Sequence, residues 1–279
     1  MSKLTFTDHS RKFNDLTYIY PVLSRRSQGV SLGINLNVNN ACNWRCIYCQ
    51  VENLVRGKPE SIDLKKLELE LDYMLNKIVN EGFIKIVAPE ALQRFNDISI
   101  SGNGESTLSK QFLKVVEIIA KLRQKYNLEN KVKTILITNG SEIERKDILL
   151  ALQTLNLNNG EIWFKVDCIS EIAMQRINQV NLSLESVIKR LRLAADICKT
   201  YIQTCLFKTN IEDPDKNEIE LYLDFLSQVK NNIAGVLLYS IARPPALIEG
   251  QGLSKVSEQY LENIALRIAK MGINVKFYE

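Results

Sequence analysis

From residue 97 onward, short apolar runs alternate with segments of helical period. Residues 97–101, 132–137, 161–168, 201–207 and 234–241 read as strands. Helical patterns follow them at 112–122, 143–155, 183–199, 215–230 and 255–271. Upstream, 33–37 reads as a first core strand, and its helix opens at Ser61-Ile62-Asp63 with N-cap chemistry. Leu64, Leu67, Leu71, Leu75 and Ile78 then recur at helical spacing. Residues 81–95 form a less regular connection. Strand followed by helix, repeated, predicts a parallel sheet with right-handed crossovers. Six such units and a short final strand at 273–277 fall short of the eight that close a barrel. The expected fold class is therefore α/β, an open partial (β/α)6 barrel with parallel strands. Two β-type runs, 18–23 and 30–32, flank the polar turn 24–29 and predict a short N-terminal β-hairpin extension. The expected organisation is an extension over 1–32 and one barrel domain over 33–279. Arg25 and Arg26 in the turn read as solvated charges.

The loop after the first core strand contains Cys42-Asn43-Trp44-Arg45-Cys46-Ile47-Tyr48-Cys49, a C-x3-C-x2-C spacing. Thiolates are soft ligands that suit iron–sulfur clusters or zinc. A closed structural zinc site takes four protein ligands. The remaining cysteines, Cys168, Cys198 and Cys205, and the single histidine, His9, all lie far away in sequence. Three thiolates on a four-iron cluster leave one iron open to a small molecule. Packing as three buried structural cysteines is the plainer alternative, and an Asn/Arg-rich loop is poor core patterning for it.

This signature, with Tyr48 at the aromatic position, resembles that of the radical S-adenosylmethionine (SAM) superfamily. The resemblance implies a [4Fe–4S] cluster on Cys42, Cys46 and Cys49, with SAM chelating the fourth iron and Tyr48 near the adenine. It also implies a reducing electron donor of flavodoxin or ferredoxin type. Reductive cleavage of SAM would give methionine and a 5′-deoxyadenosyl radical that takes a substrate hydrogen. Gly102-Asn103-Gly104-Glu105 follows the next strand and resembles the family's Gly-Gly-Glu-type motif, which holds the methionine amino group. Glycine lets backbone approach a ligand, and a carboxylate can pair with an ammonium. Asn103 and Ser106 depart from that motif, where a second Gly and a Pro are usual.

Later strand ends supply further candidates. Thr138-Asn139-Gly140 lines the SAM pocket in the resemblance, or is simply a helix N-cap turn. Trp163, Lys165 and Asp167 share one strand face, and Lys165 and Asp167 are expected to orient SAM. Gln203, Tyr239 and Arg243, the last before Pro244-Pro245, are candidates for substrate contact. Cys168, Cys198 and Cys205 read as core packing.

The stretches around both motifs are similar to a branch grouped with wyosine-type tRNA-modifying radical SAM proteins. Wyosine-forming enzymes carry additional N-terminal cysteines for a second cluster, and no cysteine precedes Cys42 here. RNA is thus a permitted substrate that the net charge of +4 does not argue for. Lys121, Arg123, Lys125, Lys131 and Lys133 read as a solvated helix end rather than as phosphate contacts. Free cysteines at metal-type spacing, and the lack of an apolar leader or membrane-length run, point to the cytoplasm. Three readings stay open: a radical SAM enzyme acting on a nucleoside, RNA or small molecule; an activase or modifier of a protein or peptide; and a non-enzymatic iron–sulfur or zinc protein.

Overall fold

A computed structural model describes residues 3–6, 11 and 13–278. His9 lies outside them. The expected hairpin forms: β1 (Ile19–Ser24) runs antiparallel to β2 (Gly29–Ile34), with Ile19 opposite Ile34 and Ser24 opposite Gly29. A two-residue ladder, β3 (Ala41–Cys42) with β4 (Val55–Arg56), sits inside the cysteine loop. Helices α1 (Leu64–Asn80) and α2 (Phe83–Val87) then lead to β5 (Phe95–Ile100). Next come α3 (Phe112–Lys125), β6 (Lys133–Thr138), α4 (Lys146–Leu157) and β7 (Gly160–Lys165). A single turn, α5 (Glu171–Ala173), continues as a π turn over Met174–Asn178. The chain ends with α6 (Leu184–Ile197), β8 (Thr200–Thr209), α7 (Lys216–Val229), β9 (Gly235–Ser240), β10 (Leu253–Lys255), α8 (Glu258–Lys270) and β11 (Val275–Tyr278).

The main sheet has the order β1-β2-β5-β6-β7-β8-β9-β11, with β10 antiparallel to the end of β8. All neighbours from β2 to β11 are parallel. This is the open half-barrel expected from the strand–helix alternation. The hairpin is continuous with it: β2 is itself the first parallel strand, and it crosses the 32/33 boundary. All six of its residues are buried.

The first core strand begins and ends earlier than the 33–37 expected from sequence, and the cause is local. Asn35 Oδ1 accepts a hydrogen bond from the Asn37 N–H, 3.0 Å away. Asparagine side chains that capture nearby backbone compete with a sheet ladder, so 35–37 becomes the start of the loop. The hairpin is tied down by α1. Buried Glu70 accepts from the N–H groups of Thr17 and Tyr18 at 2.9 and 2.8 Å. The apolar face of α1, with Leu67, Leu71, Met74 and Leu75 fully enclosed, packs in the main core.

The sheet faces divide the chemistry. On β5, Ile98 and Ile100 join the core under the helices, while Asp97 and Ser99 line the barrel interior. Period-two alternation here puts polar groups inward, which suits a concave face that encloses a site.

The basic cluster of α3 and β6 is consumed by local pairing. Lys121 pairs with Glu68, Lys125 with Asp72 and Lys133 with Glu161. Arg123, read as solvated, is instead fully buried and donates to the carbonyls of Leu128, Glu129, Val132 and Asn158. Its neighbours Lys121 and Lys125 point the opposite way because successive helical positions differ by about 100°. Arg123→Leu should therefore lower the unfolding free energy by about 3 kcal/mol or more, since buried carbonyls lose their donor. Lys121→Ala, which breaks an exposed pair, should change it by less than about 1 kcal/mol. Urea denaturation of both variants checks the contrast; equal effects would contradict the structural role of Arg123.

Candidate active site

The cysteine loop hangs over the C-terminal ends of the strands on three anchors. At β2 and β5, Asn37 Nδ2 donates to the carbonyls of Ala41 (2.8 Å) and Glu105 (3.3 Å), and Asn35 Oδ1 accepts from the Asn103 N–H (3.0 Å). After β7, the N–H groups of Arg45 and Ile47 donate to the carbonyls of Asn178 and Ile177 at 3.2 and 2.8 Å. After β9, the Ala246 N–H donates to the Cys49 carbonyl, and Gln50 and Arg243 exchange hydrogen bonds of 2.8 and 2.9 Å. Arg45 also pairs with Glu249 at 2.9 Å.

Glycine is needed at the first anchor for space. A Cβ on Gly102 would collide with Asn35, and one on Gly104 with the Ala41 carbonyl and Asn37. The two departures from the motif are accommodated. Asn103 Nδ2 donates to Asn40 (2.7 Å), while its Oδ1 accepts from Arg11 (2.5 Å). Ser106 opens a short 3-10 turn.

Glu105 is buried, and its carboxylate is already engaged. Oε1 accepts from the Thr107 N–H (3.1 Å), the Thr107 hydroxyl (2.6 Å) and the Thr138 hydroxyl (2.8 Å); Oε2 accepts from the Asn139 N–H (2.6 Å). Burial raises its pKa, and these hydrogen bonds pull the other way. Thr138 and Asn139 are thus both tied to Glu105. Asn139 also reaches the cysteine loop, donating to Asn43 Oδ1 at 3.0 Å.

The three thiols line one cavity of about 310 Å³, which runs down into the barrel. Gly102, Asn103, Gly104, Glu105, Thr138 and Asn139 line it on one side, and Lys165, Gln203, Tyr239 and Arg243 on the other. Trp44 N–H donates to Cys42 Sγ (3.4 Å) and Asn178 Nδ2 to Cys46 Sγ (3.2 Å). Burial pushes the Cys42 thiol up to about 12 and Cys46 to about 11, so a metal bound there displaces protons. Among the described residues, no three His, Cys, Asp or Glu side chains converge as ligands of a single ion. Three thiols spread around a shared cavity suit a cubane, which sets each thiolate on a different iron.

Tyr48 and Lys165 meet over a buried carboxylate. The Tyr48 hydroxyl and Asn178 Nδ2 donate to Asp167 Oδ2 at 2.5 and 3.0 Å. The Cys205 N–H donates to Oδ1 at 3.1 Å, and Lys165 Nζ lies 3.7 Å from it. Lys165 Nζ sits 4.9 Å from the Tyr48 ring centroid and 3.3 Å from the Tyr239 hydroxyl. Lys165 faces the cavity, whereas the side chain of Asp167 is fully enclosed behind it. Burial disfavours the charged lysine, and Asp167 reverses this, leaving its pKa raised overall.

Sequence reasoning missed Asn178, which links Cys46 to Asp167 from the far side of a π turn. It also placed Arg25 and Arg26 in solvent, whereas both are half-buried and line the cavity. The inward Asp97 and Ser99 were detectable from their alternation with Ile98 and Ile100. Cys168 and Cys198 pack in the main core as expected, while Cys205 lines the cavity.

No helix of the described residues is long and apolar enough to cross a membrane. The sequence matches the family described as the Radical SAM superfamily over residues 36–218. UPF0026 protein slr1464 of Synechocystis is 25% identical, over 92% of this chain and 95% of its own length. UPF0026 protein MJ1312 of Methanocaldococcus jannaschii is 28% identical over 59% of this chain and 44% of its own. A radical SAM methyltransferase from Sphaerobacter thermophilus shares the fold, with a TM-score of 0.61 at 11% identity over 90% of this chain and 66% of that one. So does Streptococcus suis SuiB bound to S-adenosylmethionine, with a TM-score of 0.58 at 15% identity over 90% of this chain and 47% of that one. The chain thus spans less than half of MJ1312 and of SuiB. Because the family match runs from the cysteine loop into α7 and covers more than half the residues, this chain belongs to the radical SAM superfamily, whose enzymes work with a [4Fe–4S] cluster and SAM.

Proposed function

We propose that Cys42, Cys46 and Cys49 hold the [4Fe–4S] cluster and that SAM binds between it and the glycine turn, for modification of a substrate seated in the barrel. The supporting observation is that three thiols, a glycine turn and Lys165 line a single cavity. When bound, cluster and SAM supply a one-electron reductive cleavage that yields a 5′-deoxyadenosyl radical. The residues of the chain bind, orient and shield. The turn Gly102–Gly104, which lines the cavity and whose glycines let it pack closely on Asn35 and the cysteine loop, is the surface for the methionine end. Glu105 acts as a positioning residue: its carboxylate, spent on Thr107, Thr138 and Asn139, fixes that turn against β6. Tyr48 and Lys165, both set by Asp167, flank the adenosyl side. The barrel wall keeps water from the radical. A reductant must dock where the cysteine loop is accessible.

The test is anaerobic reconstitution with iron and sulfide, reduction, and assay of 5′-deoxyadenosine from SAM. Wild type should assemble the cluster and form the product. The Cys42/Cys46/Cys49→Ala variant should do neither. Zinc and no cluster in anaerobically purified protein would overturn the reading.

The glycine turn makes a second expectation. Gly104→Ala should lower SAM turnover at least about tenfold and cost about 1–3 kcal/mol of stability, because the added methyl forces the turn off the cysteine loop. Gly57→Ala, on the same loop, meets only the Ala41 Cβ at 3.9 Å and should be tolerated. Steady-state kinetics and thermal melts of the two variants decide it; equal losses would sink the steric account.

A further inference from the structure

The inner end of the cavity carries groups that the cluster and SAM do not use. Arg26, in the β1–β2 turn, places its guanidinium carbon 5.2 Å from the ring centroids of both Trp163 and Tyr239. Aromatic faces hold a cation without cancelling its charge or occupying its N–H groups. Among the described residues, Arg26 makes no ion pair and no hydrogen bond. Arg25 lines the same cavity. Its pKa is lowered by burial and then by the charges of Arg26 and Arg243, so cations crowd here.

Two neutral donors stand beside them. Trp163 Nε1 and Gln203 Nε2 are buried without a hydrogen-bond partner, in side chains only 8% and 1% exposed. Both residues line the cavity. Buried donors left without an acceptor are costly, and here they line the same cavity as Arg25 and Arg26. The acids nearby do not balance the set. Asp97 faces Arg26 from β5 and takes the Ser31 hydroxyl on one oxygen. Asp167 is matched to Lys165, Tyr48 and Asn178. Asp97 thus stands against Arg26 while Arg25 lines the same cavity, and arginine is the residue best shaped to take a planar or tetrahedral oxyanion through paired N–H groups.

We propose that this floor is an anion subsite, in which Arg26 and Arg25, with the Trp163 indole N–H and the Gln203 amide, receive a carboxylate or phosphate group of the substrate. The anion anchors one end of the molecule at the hairpin and leaves the other toward the cysteine loop. The proposal rests on the reading that a substrate is modified in this cavity. It narrows that substrate to one bearing an oxyanion.

Calorimetric titration of the reconstituted, SAM-loaded protein with inorganic phosphate, and separately with malonate, tests it at constant ionic strength. One saturable site for either anion is expected, and the tighter of the two tells phosphate from carboxylate. Arg26→Gln should weaken that binding about tenfold or more. Gln203→Leu removes a donor and leaves the charge in place; it should weaken binding about fivefold. This second variant keeps the test open if Arg26→Gln does not fold. Wild type that saturates with neither anion would overturn the proposal, as would affinity unchanged in every folded variant. Turnover of SAM in the same preparation separates the two claims. 5′-Deoxyadenosine without anion binding defeats the subsite alone. Anion binding by protein that holds zinc and no cluster defeats the proposed function instead.

Discussion

The mouth of this half-barrel depends on one buried carboxylate. Glu105 gathers the hydroxyls of Thr107 and Thr138 and the N–H groups of Thr107 and Asn139. These belong to two successive strand ends, so a single side chain fixes the relative height of β5 and β6 where the sheet gives way to loops. A carboxylate left unpaired at that depth would be prohibitively costly. Surrounded by four donors it becomes a rigid joint. The asparagines on the other side of the turn, Asn35 and Asn37, repeat the device with neutral groups. Polar side chains thus replace backbone pairing where the parallel ladder ends.

Much of this was readable in the sequence, for physical reasons that also mark where reading stops. Strand–helix alternation specified parallel strands because each helix carries the chain back to the end where the previous strand began. The cysteine spacing and the glycine turn were legible because both signals are local. Arg123 was not: its acceptors lie at 128, 129, 132 and 158, and only folding reveals that one helical position faces inward. Arg25 and Arg26 failed similarly. A charged pair in a polar turn looks solvated until β7 and β9, more than a hundred residues later, supply Trp163 and Tyr239. For Glu105, residue type suggested a turn that does line the cavity, but the carboxylate's partners inside the protein could not be seen.

Lys165 and Asp167 illustrate a milder version of the same limit. Alternation predicts one shared face for them, yet β7 ends at Lys165, which lines the cavity, and Asp167 lies beyond the strand and enclosed. The difference comes from Tyr48 and Asn178, which close over Asp167 from the cysteine loop and the π turn. Asp167 therefore connects three segments distant in sequence, and its charge acts through the groups it orients.

The three anchors of the cysteine loop bear on how its ligands are held. Small metal-dependent domains fold only when the ion arrives, because nothing else holds their ligands. Here the loop is also tied to β5, to the π turn and to the segment after β9 by hydrogen bonds of the polypeptide. The conformation of the loop is thereby coupled to the sheet beneath it, so a change at any of the three strand ends reaches the cysteines. The Cys42 and Cys46 thiols, whose pKa values burial raises, would give up their protons on binding metal.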